Sequence, residues 1–329
     1  MHLSDITINS GDKVLVIALR AMGDTLLATP LIRDIKGKFP MTTIDVVAES
    51  LPAQVLEGNS NISKILISPN RGSWIGAYSK LYLKLLKTNY KASIDLISTP
   101  GSALISFVAN ARIRVGYRLR GRTWAYNVAV KRQSNNNYSA LSKYDLTEDL
   151  NVTCTSPIPV VSPLPQHTAW ADSRMQELKI DFSKPIIGIS PWSKRVWRRW
   201  EMDNWIRLLI ELRQHGEYQA ILFASNSERP FLKLIENTKD YSLFWADTSH
   251  IHQAAAMMKS CDVVLTADNG LKHIAVAMNT PTFTVYTDYE GVSPHAWNPP
   301  DRTDHQFLVA PKLIDENTMS SVTKFIWDE

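Results

Sequence analysis

The stretch DVVLTADNGLKHIAVAMNTPTFTVYTD, residues 262–288, decides the fold class. It contains two short apolar runs, Val263–Leu265 and Phe283–Tyr286, and each has the length of a buried strand. Between them, apolar residues recur at helical spacing from Leu271 to Met278. The pattern therefore predicts strand, turn, helix and strand, which is one βαβ unit of a parallel sheet.

The turn of this unit carries three polar or small residues, Asp268, Asn269 and Gly270. It follows the carboxyl end of a strand and precedes the amino end of a helix. In open α/β sheets ligands bind at this edge, and the helix terminus there favours anions. Asp and Asn are also ordinary helix caps and Gly is an ordinary turn residue, so the turn alone leaves both roles open.

Length and composition indicate a globular protein of two domains. The chain has 329 residues, more than one ordinary core holds, with 44% hydrophobic and 21% charged residues. Its two cysteines, Cys154 and Cys261, suit a reducing cytosol without a disulfide framework. The first residues do not resemble a signal peptide, and no apolar stretch approaches the roughly 20 residues that span a bilayer.

Strands and helices alternate twice along the chain. KVLVIAL, residues 13–19, opens the first series, and KPIIGIS, residues 184–190, opens the second. Between them a segment with four prolines, TCTSPIPVVSPLPQ, predicts an extended linker. We therefore expect domains at 1–160 and 161–329, with a tail, 311–329, that packs back on the N-terminal domain.

The positive charge is unevenly placed. The net charge is +4, which suits a phosphorylated partner. Between Asp95 and Asp145 there is no acidic residue, while Lys and Arg recur through that gap. The stretch is expected to meet phosphates on a substrate or an anionic membrane face. The alternative is an ordinary solvated basic face.

Several familiar catalytic patterns are absent from the sequence. It has no G-x-G-x-x-G fingerprint, no Walker A sequence, no H-E-x-x-H, no G-x-S-x-G and no D-x-D pair. The close histidine pair, His250 and His252, lacks carboxylate or cysteine companions, so an exposed loop pair is favoured over a metal site. Anion binding must therefore come from other groups.

Two further loops are predicted at the carboxyl ends of strands. LRAMGDTLLATP, residues 19–30, places Asp24 near a helix amino end, where it is either a capping aspartate or a general base. In SPWSKRVWRRWEMDNW, residues 190–205, four basic residues lie close together within 194–199, beside Trp197 and Trp200. Arginine there offers forked donors that match the oxygens of a diphosphate. A solvated turn with packed aromatics is the alternative.

Three segments together resemble glycosyltransferase family 9, the heptosyltransferases. Residues 14–36, VLVIALRAMGDTLLATPLIRDIK, resemble the family's S-x-G-D loop with its threonine-proline helix. Residues 190–205 resemble the P-G-[AS]…K-x-W-P loop, and residues 268–286 resemble the D-[ST]-G-x-x-H-x-x-A-A-x-x-x-P-T motif. The order and spacing of all three match, and the likeness spans nearly the whole chain.

The resemblance implies an α/β protein of GT-B architecture, with two Rossmann-like domains whose parallel sheets face an interdomain cleft. The acceptor would lie on the N-terminal domain and the nucleotide sugar on the C-terminal domain. The implied activity is inverting transfer of a heptose from ADP-heptose to the phosphorylated inner core of lipopolysaccharide or a related glycan. No metal, other cofactor or nucleic acid is implied. The expected location is the cytoplasm, with peripheral contact at the inner membrane.

The resemblance also assigns roles to individual residues. Asp24 matches the catalytic base. The residues expected at the donor are Ser193, Lys194, Arg198, Arg199, Glu228, Asp268, Asn269, Gly270 and His273. Arg198 is favoured over Arg199 at the position of the family's phosphate-binding lysine. In the basic stretch, Arg118, Arg120 and Arg122 are expected at the acceptor.

The chain also departs from the family pattern. Asn269 replaces the usual Ser or Thr, Glu201 replaces a proline, and DLISTPGSAL lacks the usual glutamine-glycine pair. Some family members move N-acetylglucosamine, so such a donor is the first alternative. A non-catalytic sugar-nucleotide-binding protein is a second. A nicotinamide oxidoreductase is a third, although the missing glycine fingerprint argues against it.

Overall fold

The structure is a computed structural model of the 329-residue chain. It describes residues 8–9, 11–69, 75–133, 138–225, 228, 243–288, 293–310 and 313–327. The chain divides into two compact units, Met1–Ser162 and Pro163–Glu329. The division falls inside the proline-rich segment in which the linker is predicted.

The first unit contains a six-stranded parallel sheet in the order β3-β2-β1-β4-β5-β6. Its strands are β1 Lys13–Ile17, β2 Thr43–Glu49, β3 Lys64–Ser68, β4 Ala92–Asp95, β5 Ile113–Tyr117 and β6 Val128–Val130. Its described helices are α1 Met22–Leu26, α2 Thr29–Lys38, α3 Ser50–Ala53, α4 Ser79–Lys87 and α5 Pro100–Val108. Short 3-10 turns lie at Gln54–Leu56, Ile75–Tyr78, Thr123–Ala125 and Leu141–Leu150.

Continuous apolar runs form the centre of this sheet because both of its faces are covered. Strand β1 pairs in register with β2 and β4, Val16 lying opposite Val46 and Ile94. Leu15 and Ile17 are fully buried among side chains from the helices. Complete burial of one such side chain contributes about 1.5–3 kcal/mol.

The second unit repeats the plan, with a parallel sheet in the order β12-β11-β10-β7-β8-β9. Its strands are β7 Ile186–Ser190, β8 Gln219–Leu222, β9 Leu243–Trp245, β10 Val263–Ala267, β11 Thr282–Thr287 and β12 His305–Ala310. Its described helices are α6 Pro165–Glu177, α7 Met202–His215, α8 Ile251–Lys259, α9 Gly270–Ala277 and α10 Glu316–Trp327. Short 3-10 turns lie at Val196–Arg198 and Pro294–Ala296. The predicted class, two Rossmann-like α/β domains with parallel sheets, is confirmed.

The C-terminal tail lies in the second unit. Helix α10 contacts α7, and Val322 is fully buried in a core that also holds Trp205. The ring of Phe325 lies 5.4 Å from that of Phe283 on β11. The apolar face of α10 is thus buried by the second unit's own sheet and helix. The expectation that the tail packs on the N-terminal domain stays a prediction.

Both sheets have their topological switch point at the centre. The chain leaves β1 toward one edge and returns to β4, and it does the same from β7 to β10. In open α/β proteins the chain leaves two such neighbouring strands toward helices on opposite faces of the sheet, and ligands bind at the carboxyl ends of these strands. In the second unit, the loops after β7 and β10 lie at this position.

Candidate active site

The loops after β7 and β10 meet at this edge of the second sheet. The two strands are neighbours, with Ile189 opposite Leu265. The Ser193 hydroxyl donates to the backbone oxygen of Asp268 over 3.0 Å, and Nη1 of Arg198 lies 2.8 Å from Oδ2 of the same residue. Contacts from one loop to the other thus bring three predicted donor residues together.

Asn269 joins the two loops through its side chain. Its Oδ1 caps α9 by accepting the backbone N–H of Lys272 at 3.1 Å. Its Nδ2 donates to the backbone oxygens of Ser190 and Trp192 and approaches the Ser190 hydroxyl at 2.9 Å. An amide can do both because it carries donors and an acceptor, which a Ser or Thr hydroxyl in the same place offers in smaller number. Loss of such a cap costs about 1 kcal/mol.

Arg198 and Asp268 form a largely buried ion pair. Their side chains are 18% and 4% exposed. The contact is close but poorly aligned, since Asp268 Oδ2 and Arg198 Nε make no hydrogen bond within the described part of the chain. The guanidinium also lies 5.8 Å from the ring of Trp297. A guanidinium held here with an N–H group still uncommitted suits a further oxygen ligand.

The neighbouring basic residues of this loop are placed differently. Arg199 Nε donates to the backbone oxygen of Ser193 at 2.6 Å, and its guanidinium stacks on the ring of Trp192 at 3.7 Å. Arg199 therefore holds the loop in shape. Lys194 is exposed. Of the two arginines proposed for the phosphate-binding role, Arg198 is the one that contacts Asp268 in the turn after β10. Its phosphate-binding role stays a prediction.

The remaining predicted donor residues lie on three elements. Gly270 begins α9, and His273, one turn along, is buried with its ring 6.1 Å from that of Trp297. Glu228 lies in a turn after β8, where its carboxylate accepts the backbone N–H of Ser225 at 2.6 Å. No contact links Glu228 to the β7–β10 junction among the described residues, so its ribose-binding role stays a prediction.

Lys272 is a charged residue of this region that the sequence did not single out. It is fully buried, and its Nζ donates to Tyr286 Oη at 2.6 Å, the Trp297 backbone oxygen at 2.9 Å and Asn298 Oδ1 at 3.1 Å. Burial lowers the pKa of Lys272 to about 7, and the nearby Asp268 carboxylate opposes that shift. The lysine thus ties α9 to the segment that carries Trp297, the ring beside Arg198.

No sequence signal marks Lys272. The apolar spacing from Leu271 to Met278 places it off the predicted buried face, as a solvated residue would be. In the structure α9 is covered nearly all round, with Lys272, His273 and Ile274 in succession buried. Its partners lie 14 to 26 residues further along the chain.

In the first unit, Asp24 lies in the first turn of α1, directly after β1, and is partly buried. A buried ammonium lies in its electrostatic neighbourhood. Lys143 donates to the backbone oxygen of Ser139 at 2.8 Å, and burial lowers its pKa to about 8. The Asp24 carboxylate opposes this shift, while the positive charges of Arg132 and Arg20 add to it. The Asp24 carboxylate and the Lys143 ammonium are thus close enough to interact electrostatically.

The three arginines predicted at the acceptor lie in the segment between β5 and β6. Arg118 and Arg120 are exposed, and Arg122 is partly buried. Arg118 also donates to the backbone oxygen of Ala129 at 3.2 Å. These positions leave both the acceptor role and the solvated basic face open.

Across the described residues, no helix combines the length and apolar character needed to cross a bilayer.

The expectation of an exposed loop pair at His250 and His252 is corrected. His250 caps α8, and His252 is fully buried on the same helix. The structure adds His167, whose ring stacks on that of His250 at 4.1 Å, and nitrogens of the three lie within 4.8 Å of one another. Nδ1 of His250 and of His252 each accept a backbone N–H, so a metal ion would have to displace those contacts or a ring proton.

Comparisons with known proteins point to one family. The model of glycosyltransferase family 9 (heptosyltransferase) matches residues 78–314. Lipopolysaccharide heptosyltransferase 2 of Salmonella typhimurium is 26% identical over 83% of this chain and 82% of that protein. Lipopolysaccharide heptosyltransferase 3 of Escherichia coli is 23% identical over 85% of this chain and 83% of that protein.

Solved structures share the fold. A family 9 glycosyltransferase from Veillonella parvula has a TM-score of 0.82 at 18% identity, covering 96% of both chains. The ADP-heptose lipopolysaccharide heptosyltransferase II of Escherichia coli has a TM-score of 0.76 at 21% identity, covering 95% of this chain and 97% of its own. At such identities the likeness concerns the fold alone, and it bears out the predicted GT-B class.

Proposed function

The chain belongs to glycosyltransferase family 9 and is a glycosyltransferase, and from that membership we propose that it moves a heptose from ADP-heptose to the phosphorylated inner core of lipopolysaccharide. Transfer inverts the anomeric centre and requires no metal ion. Relatives that carry the name lipopolysaccharide heptosyltransferase support the sugar and the acceptor. Family membership removes the oxidoreductase alternative.

One observation carries the donor site: the junction of the loops after β7 and β10, where Ser193 and Arg198 both contact Asp268. This junction lies at the switch point of the sheet and at the amino end of α9. The diphosphate of the donor binds there, to Arg198, Lys194 and the first backbone N–H groups of α9. Arginine is well suited to this contact because its planar fork matches phosphate oxygens.

The chemistry divides between the two units. Asp24 takes the proton from an acceptor hydroxyl, and the oxygen attacks the anomeric carbon in line with the departing ADP. Negative charge then grows on the diphosphate, where the cationic side chains and the helix terminus stabilise it. A general base of this kind contributes about 10²- to 10⁴-fold in rate.

The positive charge of the first unit supports the proposed acceptor site. Arg118, Arg120 and Arg122 bind phosphates of the inner core, and the surrounding basic stretch faces an anionic surface. The enzyme works in the cytoplasm, peripheral to the inner membrane.

The test is a transfer assay with purified protein, ADP-heptose and a phosphorylated inner-core oligosaccharide. We expect ADP release, a product heavier by one heptose, inverted anomeric configuration by NMR and full activity in the presence of EDTA. Parallel reactions with UDP-N-acetylglucosamine examine the first alternative. Donor binding in calorimetry without any transfer to acceptor would instead support the non-catalytic alternative.

A further inference from the structure

Residues 58–144 hold a concentrated positive charge. They contain 14 of the 36 Lys and Arg residues and one of the 32 acids, Asp95, which is fully buried. The rest of the chain then holds 22 basic and 31 acidic residues, a net charge of −9, although the whole protein carries only +4. The solvent-facing charge of this segment is therefore entirely positive.

Large apolar side chains are exposed in the same segment. Leu83 and Leu86 project from α4, and Leu104 and Phe107 project from α5, both pairs at the i, i+3 spacing of one helix face. Trp124 is exposed on the 3-10 turn Thr123–Ala125. Exposure of these five side chains ranges from 39% to 57%.

These side chains belong to neighbouring elements. Helices α4 and α5 are in contact, and their inward residues Leu81 and Ile105 share one core cluster. The 3-10 turn contacts α5, where the rings of Phe107 and Trp124 meet edge to face at 5.3 Å. The guanidinium of Arg114 lies 5.9 Å from the Phe107 ring. The exposed apolar groups thus line one side of the unit.

Exposed cations surround this apolar face. Lys80, Lys84 and Lys87 lie on α4 itself, and Arg112 follows α5. Long basic side chains beside Leu, Phe and Trp are the composition of surfaces that lie in the headgroup region of a bilayer, because the stems add apolar contact while the charges reach lipid phosphates.

We propose that α4, α5 and the turn Thr123–Ala125 form a docking surface for an anionic lipid bilayer. The occupant is a membrane rather than an acidic protein or nucleic acid, because phosphates alone give no reason to expose Leu and Phe on two adjacent helices beside a tryptophan. The inference rests on the proposed function in one respect: a lipopolysaccharide acceptor is membrane-anchored, so the enzyme must reach it there.

Vesicle sedimentation tests the surface. The full chain is mixed with vesicles of phosphatidylcholine alone or with phosphatidylglycerol added. We expect binding only to the anionic vesicles, weakened about tenfold or more in the double variant Phe107→Ser/Trp124→Ser, since each removes apolar contact with the bilayer. Lys84→Glu/Lys87→Glu should weaken binding similarly through charge. Phe182→Ser, a matched control at an exposed site of the second unit, should bind as the wild type does.

The outcomes separate this proposal from the proposed function. Transfer to a soluble, lipid-free oligosaccharide should be unchanged in Phe107→Ser/Trp124→Ser, whereas transfer to acceptor in vesicles should fall with the vesicle affinity. Equal sedimentation of wild type and both double variants would overturn the docking surface while leaving the transferase intact. Loss of binding in the charge variant alone would also overturn it, since the surface would then be purely electrostatic. Absence of transfer to either acceptor would instead count against the function.

Discussion

The β7–β10 junction of the second unit and the basic stretch of the first unit are the two regions that we propose to bind phosphate, but they hold their positive charge differently. At the junction, Arg198 is largely buried beside Asp268, and the loops are cross-linked by Ser193 and Asn269. In the basic stretch, Arg118 and Arg120 are exposed to solvent.

The difference indicates two kinds of recognition. A group held by buried contacts is pre-organised, so a ligand that fits it loses little free energy to reorganisation. An exposed arginine adapts to acceptors of variable shape, but its charge is screened by salt. We therefore expect changes at the junction to alter both stability and catalysis, and changes in the basic stretch to alter acceptor affinity alone.

The largest effect should come from Asp24, which belongs to neither of these regions. Asp24→Asn keeps the shape of the side chain but cannot accept the acceptor proton, so kcat should fall about 10²- to 10⁴-fold. ADP release measures turnover, and calorimetry should show unchanged donor affinity. Asp149→Asn, at an exposed acid of the same unit, is the control. Near-normal kcat in Asp24→Asn would remove the base assignment.

At the junction, Arg198→Ala should affect both folding and donor binding. Because it leaves the Asp268 carboxylate buried without its ion pair, we expect a loss of about 3–5 kcal/mol in the free energy of unfolding. The double variant Arg198→Ala/Asp268→Asn should regain much of that stability in urea titrations.

Donor affinity distinguishes the phosphate role of Arg198 from its structural role. If Arg198 binds the diphosphate, the stabilised double variant should still bind ADP more weakly by about tenfold or more, the effect of losing a charge-assisted contact. Arg199→Ala, which removes a stack on Trp192, should cost stability with a smaller change in ADP affinity. The reverse ranking would move the phosphate role to Arg199.

Because Lys272 is buried, we expect the free energy of unfolding to depend on pH. Burial lowers its pKa from 10.5 to about 7, so between those values the unfolded chain binds more protons than the folded one. Stability should therefore rise with pH from about 7 toward 10.5, by at most about 1.4 kcal/mol per pH unit for this one group. Subtracting the urea-unfolding profile of Lys272→Met isolates the contribution of Lys272, and a difference that stays flat over this range would contradict it.

The smallest effect on stability should come from the basic stretch. Arg118→Gln/Arg120→Gln changes exposed side chains, so the free energy of unfolding should move by only about 0.5 kcal/mol. The KM for a phosphorylated acceptor should rise and should lose most of its salt dependence. The KM for the donor and the KM for a dephosphorylated acceptor should stay unchanged. An unchanged KM for the phosphorylated acceptor would favour the solvated basic face.

Local patterns in the sequence determined most of the architecture. Continuous apolar runs such as KVLVIAL and KPIIGIS became the central strands β1 and β7, and four prolines marked the segment where the units divide. Apolar spacing alone predicts the βαβ unit around Asn269. Such features could be predicted because hydrophobic periodicity and turn chemistry act over a few neighbouring residues.

Tertiary structure decided which polar residues meet. Lys272 donates to Asn298, His167 stacks on His250, and α10 packs into the core around Trp205. No pattern in the neighbouring sequence predicts any of these three contacts. The sequence by itself determined the strands, the helices and the loops that carry the chemistry. Tertiary packing decided the burial that lowers the pKa of Lys272. It also decided that Asp268 pairs with Arg198 and not with Arg199. Both depend on how distant segments pack, because desolvation and ion pairing are set by neighbours in space.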